Sequence, residues 1–303
     1  MLGNPDKLLA MFPITKKTRD EREFIFTPHD FERIRKLIYD HAGIALSPKK
    51  TDMVYSRLAR RLRENGLSTF KDYLALLEDN DEHEWGVFVN SLTTNLTSFF
   101  REPHHFPLLA EHVEHVTKHR NRPNRPITLW CSACSTGEEP YSMAMTMVEL
   151  FDSYTPPVKI LATDLDTNVL AKAKEGVYHM DRLEKLPADK LKRFFLKGGD
   201  AHTGQARIRQ ELRNMVTFQR LNLLDNDWPM RTLFDAIFCR NVMIYFDKPT
   251  QHKILKKFAP MLQPDGLLFV GHSESLFRAS DLFKLRGKTV YELAHKANPR
   301  ASR

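Results

Sequence analysis

Two regimes of hydrophobic patterning divide the chain. Between Thr27 and Leu92, apolar residues return every three or four positions, the spacing of one helix face. Phe31, Ile34, Leu37 and Ile38 form one such set, Val54, Leu58 and Leu62 a second, and Phe70, Tyr73, Leu74 and Leu77 a third; a fourth helix runs from about Glu84 to Leu92. Thr27-Pro28 and Ser47-Pro48 read as helix starts, a capping side chain followed by proline in the first turn, and Gly43 and Gly66 read as stops. No strand signal interrupts this stretch. From Pro126 onward the pattern changes to short apolar runs separated by helical segments. Strands are expected at Pro126–Trp130, Val158–Thr163, Val216–Leu221, Phe234–Cys239 and Leu267–Val270. Helices are expected after Gly137, after Thr167, over Leu183–Phe195 and over Pro249–Leu262. Phe283–Leu285 and Thr289–Leu293 close the chain as an antiparallel hairpin. Alternation of this kind predicts a doubly wound sheet.

The expected organisation is a flexible arm over residues 1–26, a small helical domain over 27–90, a structured linker over 91–106 and an α/β domain over 107–303. The linker is polar but rich in phenylalanine, unlike a glycine–serine tether. One segment, residues 196–216, breaks the α/β alternation: Gly198-Gly199 and Gly204 precede Ala206-Arg207-Ile208-Arg209, which alternates like a strand. An inserted β-ribbon is expected there, either a surface embellishment or an exposed edge that takes a peptide by strand addition.

Composition changes this picture little. The 303 residues suffice for one large or two smaller domains at ~100–200 residues each. No apolar run approaches the ~20 residues of a membrane span, and the first twenty residues lack the apolar core of a secretory signal. Three cysteines argue for a reducing cytoplasm and no disulfide framework. The net charge of +8 lies in residues 91–303, because the first ninety residues are charge-balanced. Within that balanced region, Arg57, Arg60, Arg61 and Arg63 stand across the second helix from its apolar stripe. They read as a solvated face or as a docking face for an acidic helical partner or nucleic acid.

The candidate chemistry starts at residues 129–142, where a strand runs into small residues and then into a helix at Gly137-Glu138-Glu139. Such a loop lets a ligand approach bare backbone N–H groups. It holds no lysine and is followed by two acids, which suits a ligand carrying positive charge, such as S-adenosylmethionine. Taken alone, an ordinary strand-to-helix turn with helix-start glutamates fits as well. Asp164 ends the second strand, where α/β nucleotide folds hold ribose hydroxyls, and is favoured over Asp166 for that position. Asn222-Leu223 ends the third strand and Arg240-Asn241 the fourth. Four polar strand ends then face one crevice.

The blocks Asn95–Glu102, Ser135–Ser142, Ala162–Asp166, Phe234–Phe246 and Pro264–Glu274 together resemble the signature blocks of bacterial chemotaxis receptor methyltransferases. The resemblance implies a small N-terminal all-helical domain followed by a Rossmann-like class I methyltransferase domain with an inserted antiparallel β-subdomain. It implies a cytoplasmic enzyme that moves a methyl group from S-adenosylmethionine to glutamate carboxylates on chemoreceptors, leaving glutamate methyl esters and S-adenosylhomocysteine. The cofactor contacts it implies are Asn95, Thr97, Arg101, Glu138, Asp164, Asn222, Leu223, Arg240 and Asn241. The receptor would face the arginine-bearing helix, and a receptor C-terminal peptide is a further candidate partner at the β-subdomain. Neither nucleic acid nor membrane insertion is expected.

A glutamate with a pKa near ~4.3 is ionised at neutral pH, so attack on the sulfonium methyl needs no general base. Alignment and water removal carry the catalysis in this reading, with Glu138 on the cofactor ammonium, Asp164 on its ribose, Tyr245 orienting the incoming carboxylate and Arg240 supplying charge complementarity. Cys131-Ser132-Ala133-Cys134 reads as small residues packing a cofactor loop rather than a redox pair, and with one further cysteine it makes no zinc set. His104-His105 reads as a helix-start packing pair, and His272 as crevice-lining or structural. A catalytically inactive S-adenosylmethionine-binding signalling module is the alternative function. Methylation of nucleic acid is disfavoured by the neutral charge of residues 1–90 and by Arg240-Asn241-Val242-Met243 at the fourth strand end, where a base-flipping corner of the Asn-Pro-Pro-Tyr type is wanting.

Overall fold

The computed structural model describes residues 22–79, 82–93, 95–119, 125–276 and 279–294. Most of the expected flexible arm, residues 1–21, lies outside them. Its end is not free: Phe24 and Phe26 pack against the helical core, Phe26 with its ring 4.5 Å from that of Phe70.

Four helices follow: α1 (Pro28–Ala42), α2 (Thr51–Glu64), α3 (Phe70–Glu78) and α4 (Glu82–Leu92). Thr27 and Asp30 close a capping box on α1, and Gly43 ends it in the left-handed conformation. The apolar stripes meet in a core that includes Ile34, Ile38, Val54, Leu58, Leu62 and Leu74, all excluded from solvent. This core also holds a polar cluster. Arg61 donates to Glu84 from Nε at 3.0 Å and from Nη2 at 2.6 Å, and the Tyr73 hydroxyl donates to the same carboxylate at 2.7 Å. Arg61 therefore points inward, against the expectation of a single outward arginine face.

The remaining elements are α5 (His105–His119), β1 (Ile127–Cys131), α6 (Glu138–Phe151), β2 (Val158–Asp164), α7 (Thr167–Glu175), β3 (Val177–His179), α8 (Ala188–Phe194), β4 (Phe195–Lys197), β5 (Gln205–Ile208), α9 (Gln210–Met215), β6 (Val216–Arg220), β7 (Phe234–Cys239), α10 (Lys248–Phe258), β8 (Leu262–Val270), β9 (Phe283–Gly287) and β10 (Val290–Leu293). One seven-stranded sheet runs β6-β2-β1-β7-β8-β10-β9. Its strands are parallel up to β8, and β10 is antiparallel to both its neighbours. β1 and β7 are buried along their whole length, as expected of central strands covered by helices on both faces.

A second sheet, β3-β5-β4, is fully antiparallel. The insertion therefore opens at Val177, not near residue 196, and Val216–Arg220 belongs to the main sheet beside β2. Three-residue strands carry too little alternation to be read as strands. The expected helix over Leu183–Phe195 is also shorter, because Pro187 biases Leu186 away from helical backbone and α8 starts only at Ala188.

Candidate functional site

Strand order reverses between β1 and β7, since β2 and β6 continue outward on one side and β8 on the other. The carboxyl ends flanking such a reversal leave a crevice above the sheet. The helical domain roofs it. Ala45 N–H donates to Tyr245 O at 2.8 Å, Asn222 Nδ2 to His41 O at 3.1 Å, and the Tyr39 hydroxyl to Asp247 at 2.6 Å. The crevice so formed measures about 1010 Å³ out to its mouth.

Most of the residues expected at the site meet there. Asn95, Thr97, Arg101, Asp164, Asn222, Leu223, Arg240, Asn241 and Tyr245 all line the crevice. They come from the linker, from the ends of β2, β6 and β7, and from the turn after β7. Asn95 is held by the acid that caps α7, donating to Asp166 Oδ2 at 2.8 Å. Asp164 accepts the Ser135 N–H at 2.8 Å and the Asp166 N–H at 3.0 Å. Burial raises its pKa to about 6 despite these two donors.

Glu138 is the exception. It is the first residue of α6, and the next residue on a helix points about 100° away. Its carboxylate accepts from Thr136 Oγ1 at 2.6 Å and is ion-paired with Arg182, and the three residues line a separate groove rather than the crevice. Glu139 is the acid that lines the crevice. Its carboxylate meets Arg240 Nη1 at 2.6 Å and the Cys131 thiol at 3.2 Å. His272 does not line the crevice either; it is exposed, and its N–H donates to Glu102 Oε1 at 3.0 Å.

Arg240 has no exposed side-chain surface and lies between two acids, with Glu102 Oε2 3.4 Å from Nη2. Nη2 also donates to Arg101 O at 2.5 Å. This arginine fixes the linker and Glu139 together at the crevice wall. Burial raises the Glu102 pKa, but the His272 N–H and the Arg240 charge outweigh it and hold the group below the usual value. Glu102, His104 and His105 bring ligand atoms within 4.8 Å of one another. The adjacent Arg240 guanidinium already supplies positive charge there. Burial lowers the His105 pKa to about 4, so this imidazole is neutral. Cys131, Cys134 and Cys239 are buried free thiols whose pKa values burial raises, which makes them packing residues rather than nucleophiles.

Glu274 is a further residue the site depends on. Its buried carboxylate accepts the N–H groups of Asn241 and Met243, both at 2.8 Å, and of Gly271 at 2.6 Å. It thereby holds the turn that carries Arg240 to Tyr245, in which Asn241 is left-handed with φ 58°. A Cβ on Gly271 would stand 2.6 Å from Asn241 Nδ2 and 2.7 Å from the Glu274 carboxylate, so this position requires glycine. Of the four arginines on α2, none lines the crevice. Arg57 donates to the carbonyls of Ser91 and Thr93, Arg61 is internal, and Arg60 and Arg63 are exposed beside Glu64 and Glu23.

A crevice at the strand reversal lined by two acids, Glu139 and Asp164, two arginines, Arg101 and Arg240, and apolar walls from Leu165, Leu221 and Leu223 suits S-adenosylmethionine in charge. The fold and site define an S-adenosylmethionine-dependent methyltransferase. The particular family follows from two matches. The CheR methyltransferase SAM binding domain covers residues 95–292, and the CheR methyltransferase all-alpha domain covers residues 29–93. The chain belongs to the CheR methyltransferase family. It is 50% identical over 273 residues to chemotaxis protein methyltransferase 2 of Pseudomonas aeruginosa, covering 90% of this chain and 96% of that protein. It is 52% identical over 265 residues to the chemotaxis protein methyltransferase of Escherichia coli, covering 87% and 90%. The chemotaxis protein methyltransferase of Borreliella burgdorferi is 38% identical over 255 residues, covering 82% and 89%. Among the described residues, no helix is long and apolar enough to cross a membrane.

Proposed function

We propose that this enzyme methylates glutamate side-chain carboxylates of chemotaxis receptors, giving methyl esters and S-adenosylhomocysteine in sensory adaptation. The observation that carries the reading is identity near one half to chemotaxis protein methyltransferases over about nine-tenths of both chains. The crevice supports it chemically. Glu139 receives the cofactor ammonium and Asp164 its ribose hydroxyls, while Arg101 answers its carboxylate. Asn222 and Leu223 border the adenine, and Asn95, Thr97, Arg240 and Asn241 complete the lining.

Bound there, the cofactor supplies a methyl group made electrophilic by the neighbouring sulfonium. The protein's part is to bring a carboxylate oxygen into line and strip its water. Tyr245, at the crevice beneath the helical roof, orients that carboxylate. Lys50, whose Nζ lies 5.4 Å from the centre of the Tyr245 ring, adds positive charge along the approach. No group need remove a proton, since the acceptor is already ionised.

The receptor meets the exposed arginines of α2, Arg60 and Arg63. A receptor C-terminal peptide is a second contact, on the small sheet, where both outer strands carry an exposed apolar side chain, Val177 on β3 and Leu196 on β4. The test is incubation with methyl-labelled cofactor and receptor-bearing membranes. Base-labile label on the receptor is the expected result. Label on nucleic acid, or cofactor binding with no transfer, would refute the proposal.

A further inference from the structure

The inserted segment does more than project a small sheet from the surface: it rests against both walls of the crevice. Tyr178, the middle residue of β3, donates its hydroxyl to Thr136 O at 2.7 Å. Gly137 follows with φ 95°, and a Cβ there would stand 2.9 Å from that same hydroxyl and 2.9 Å from Ala173 Cβ. The cofactor loop is thus pressed onto the insertion with no space to spare. On the linker side, Phe99 meets Tyr178 edge-on at 4.9 Å and Phe195, the first residue of β4, at 5.5 Å.

Arg182, in the turn after β3, spans the gap between these two contacts. Its Nη2 is ion-paired with the Glu138 carboxylate and donates to Thr97 O at 3.3 Å. Thr97 lines the crevice, and Glu138 directly precedes Glu139, which also lines it. The Glu138 side chain is 1% exposed and that of Arg182 is 42% exposed. The arginine can therefore leave for solvent, but the buried carboxylate has no such escape.

We infer that Arg182 is a positioning residue for the cofactor crevice: it ties the first residue of α6 to the linker carbonyl and so fixes the spacing of the two walls that receive the cofactor. The inference rests on the cofactor reading above and adds to it a residue from outside the crevice. Its chemical role is to neutralise Glu138, so that this acid does not turn toward the cofactor sulfonium or force α6 to shift.

The predicted signature is a split between cofactor binding and turnover. Arg182→Gln raises the Kd and KM for S-adenosylmethionine roughly tenfold, the effect of a lost charge-assisted contact, while kcat at saturating cofactor holds. Arg182→Lys, which keeps the charge but reaches one wall at a time, loses less. Adding Glu138→Gln to Arg182→Gln removes the stranded charge but leaves the two walls untied, and returns the Kd only in part. Calorimetric titration of the full-length protein reads all three, with a thermal melt confirming that each variant folds. Wild-type and Asp164→Asn titrations run alongside. Failure of wild type to bind, or no loss in Asp164→Asn, would overturn the cofactor reading and the inference with it. Normal behaviour of those two, with wild-type affinity in Arg182→Gln or no recovery in the double variant, would overturn the inference alone.

Discussion

Arg240 Nη1 lies 2.6 Å from Glu139 Oε2, with the arginine side chain fully out of solvent and the glutamate 11% exposed. The pair holds a carboxylate at the crevice wall in a fixed orientation, the one proposed above to answer the cofactor ammonium. Glu139→Gln keeps an acceptor oxygen but removes the charge that answers an ammonium. A charge-assisted contact is worth ~1.5–3 kcal/mol, so the cofactor Kd should rise about ten- to a hundredfold. Glu138→Gln, whose amide oxygen still accepts from Arg182, should cost far less. Calorimetry on the two variants decides which acid serves the cofactor.

Asp164 gives the site a pH dependence with a definite sign. Burial raises its pKa to about 6 from an ordinary 3.8. Cofactor ribose hydroxyls need the ionised carboxylate as acceptor, so affinity should fall as pH drops through about 6. Stability of the free protein moves the other way. The contribution from this group is fully present below the unfolded value and is lost as pH rises through the folded value, because the folded state binds the proton more tightly. Cofactor titrations between pH 5 and 8 should show the break, and Asp164→Asn should flatten it. An unbroken profile in wild type would remove Asp164 from the contact.

Asp164 was legible because it ends β2, and the carboxyl ends of the parallel strands border the crevice. That Glu139 rather than the expected Glu138 lines the crevice was not, because adjacent helical residues differ by about 100° and the sequence does not say where the first turn begins. The arginines of α2 illustrate the same limit. Val54, Leu58 and Leu62 set the buried stripe correctly, but Arg61 turns in beside it because Glu84, 23 residues further along the chain, offers a carboxylate. The insertion was found by its glycines and by the alternation in β5, whereas β3, at three residues, left no periodic trace. Glu274 gave no signal of its own, since its role is to accept backbone N–H groups from a turn that only the fold brings to it.

That turn can be tested directly. Glu274→Ala leaves the N–H groups of Asn241, Met243 and Gly271 without their acceptor. One unsatisfied buried donor costs ~1–3 kcal/mol, and each kcal/mol shifts Tm by about 2–4 °C in a domain of this size. A loss of several degrees is expected, together with a lower kcat, because Tyr245 rides on the same turn. An unchanged Tm would show that the turn holds without Glu274.

Tyr245 is expected to act on the acceptor rather than the cofactor. Its backbone carbonyl is taken by the Ala45 N–H from the helical roof, so the turn is anchored independently of the hydroxyl. Tyr245→Phe should therefore lower kcat while leaving the cofactor Kd within about twofold, as expected for a contact made to the reacting carboxylate. Single-turnover methyl transfer at saturating cofactor measures this. Full turnover in the variant would exclude the hydroxyl from the chemical step.

The arginines of α2 divide into two experiments. Arg61 and Glu84 form a pair with side chains 13% and 3% exposed, and removal of one partner from such a pair costs ~3–5 kcal/mol. Arg61→Ala should therefore unfold at markedly lower temperature, and any loss of methylation in it says nothing about receptor contact. Arg60 and Arg63 have side chains 76% and 55% exposed, each beside a glutamate that is itself exposed. Surface pairs of this kind contribute ~0–1 kcal/mol, so Arg60→Glu with Arg63→Glu should leave both the melting temperature and the cofactor Kd near wild type. If these two side chains meet an acidic receptor surface, reversing their charge should raise the KM for receptor membranes, and the defect should shrink as salt screens the contact. A double variant that methylates receptor with wild-type KM at low salt would place the receptor on another face of the molecule.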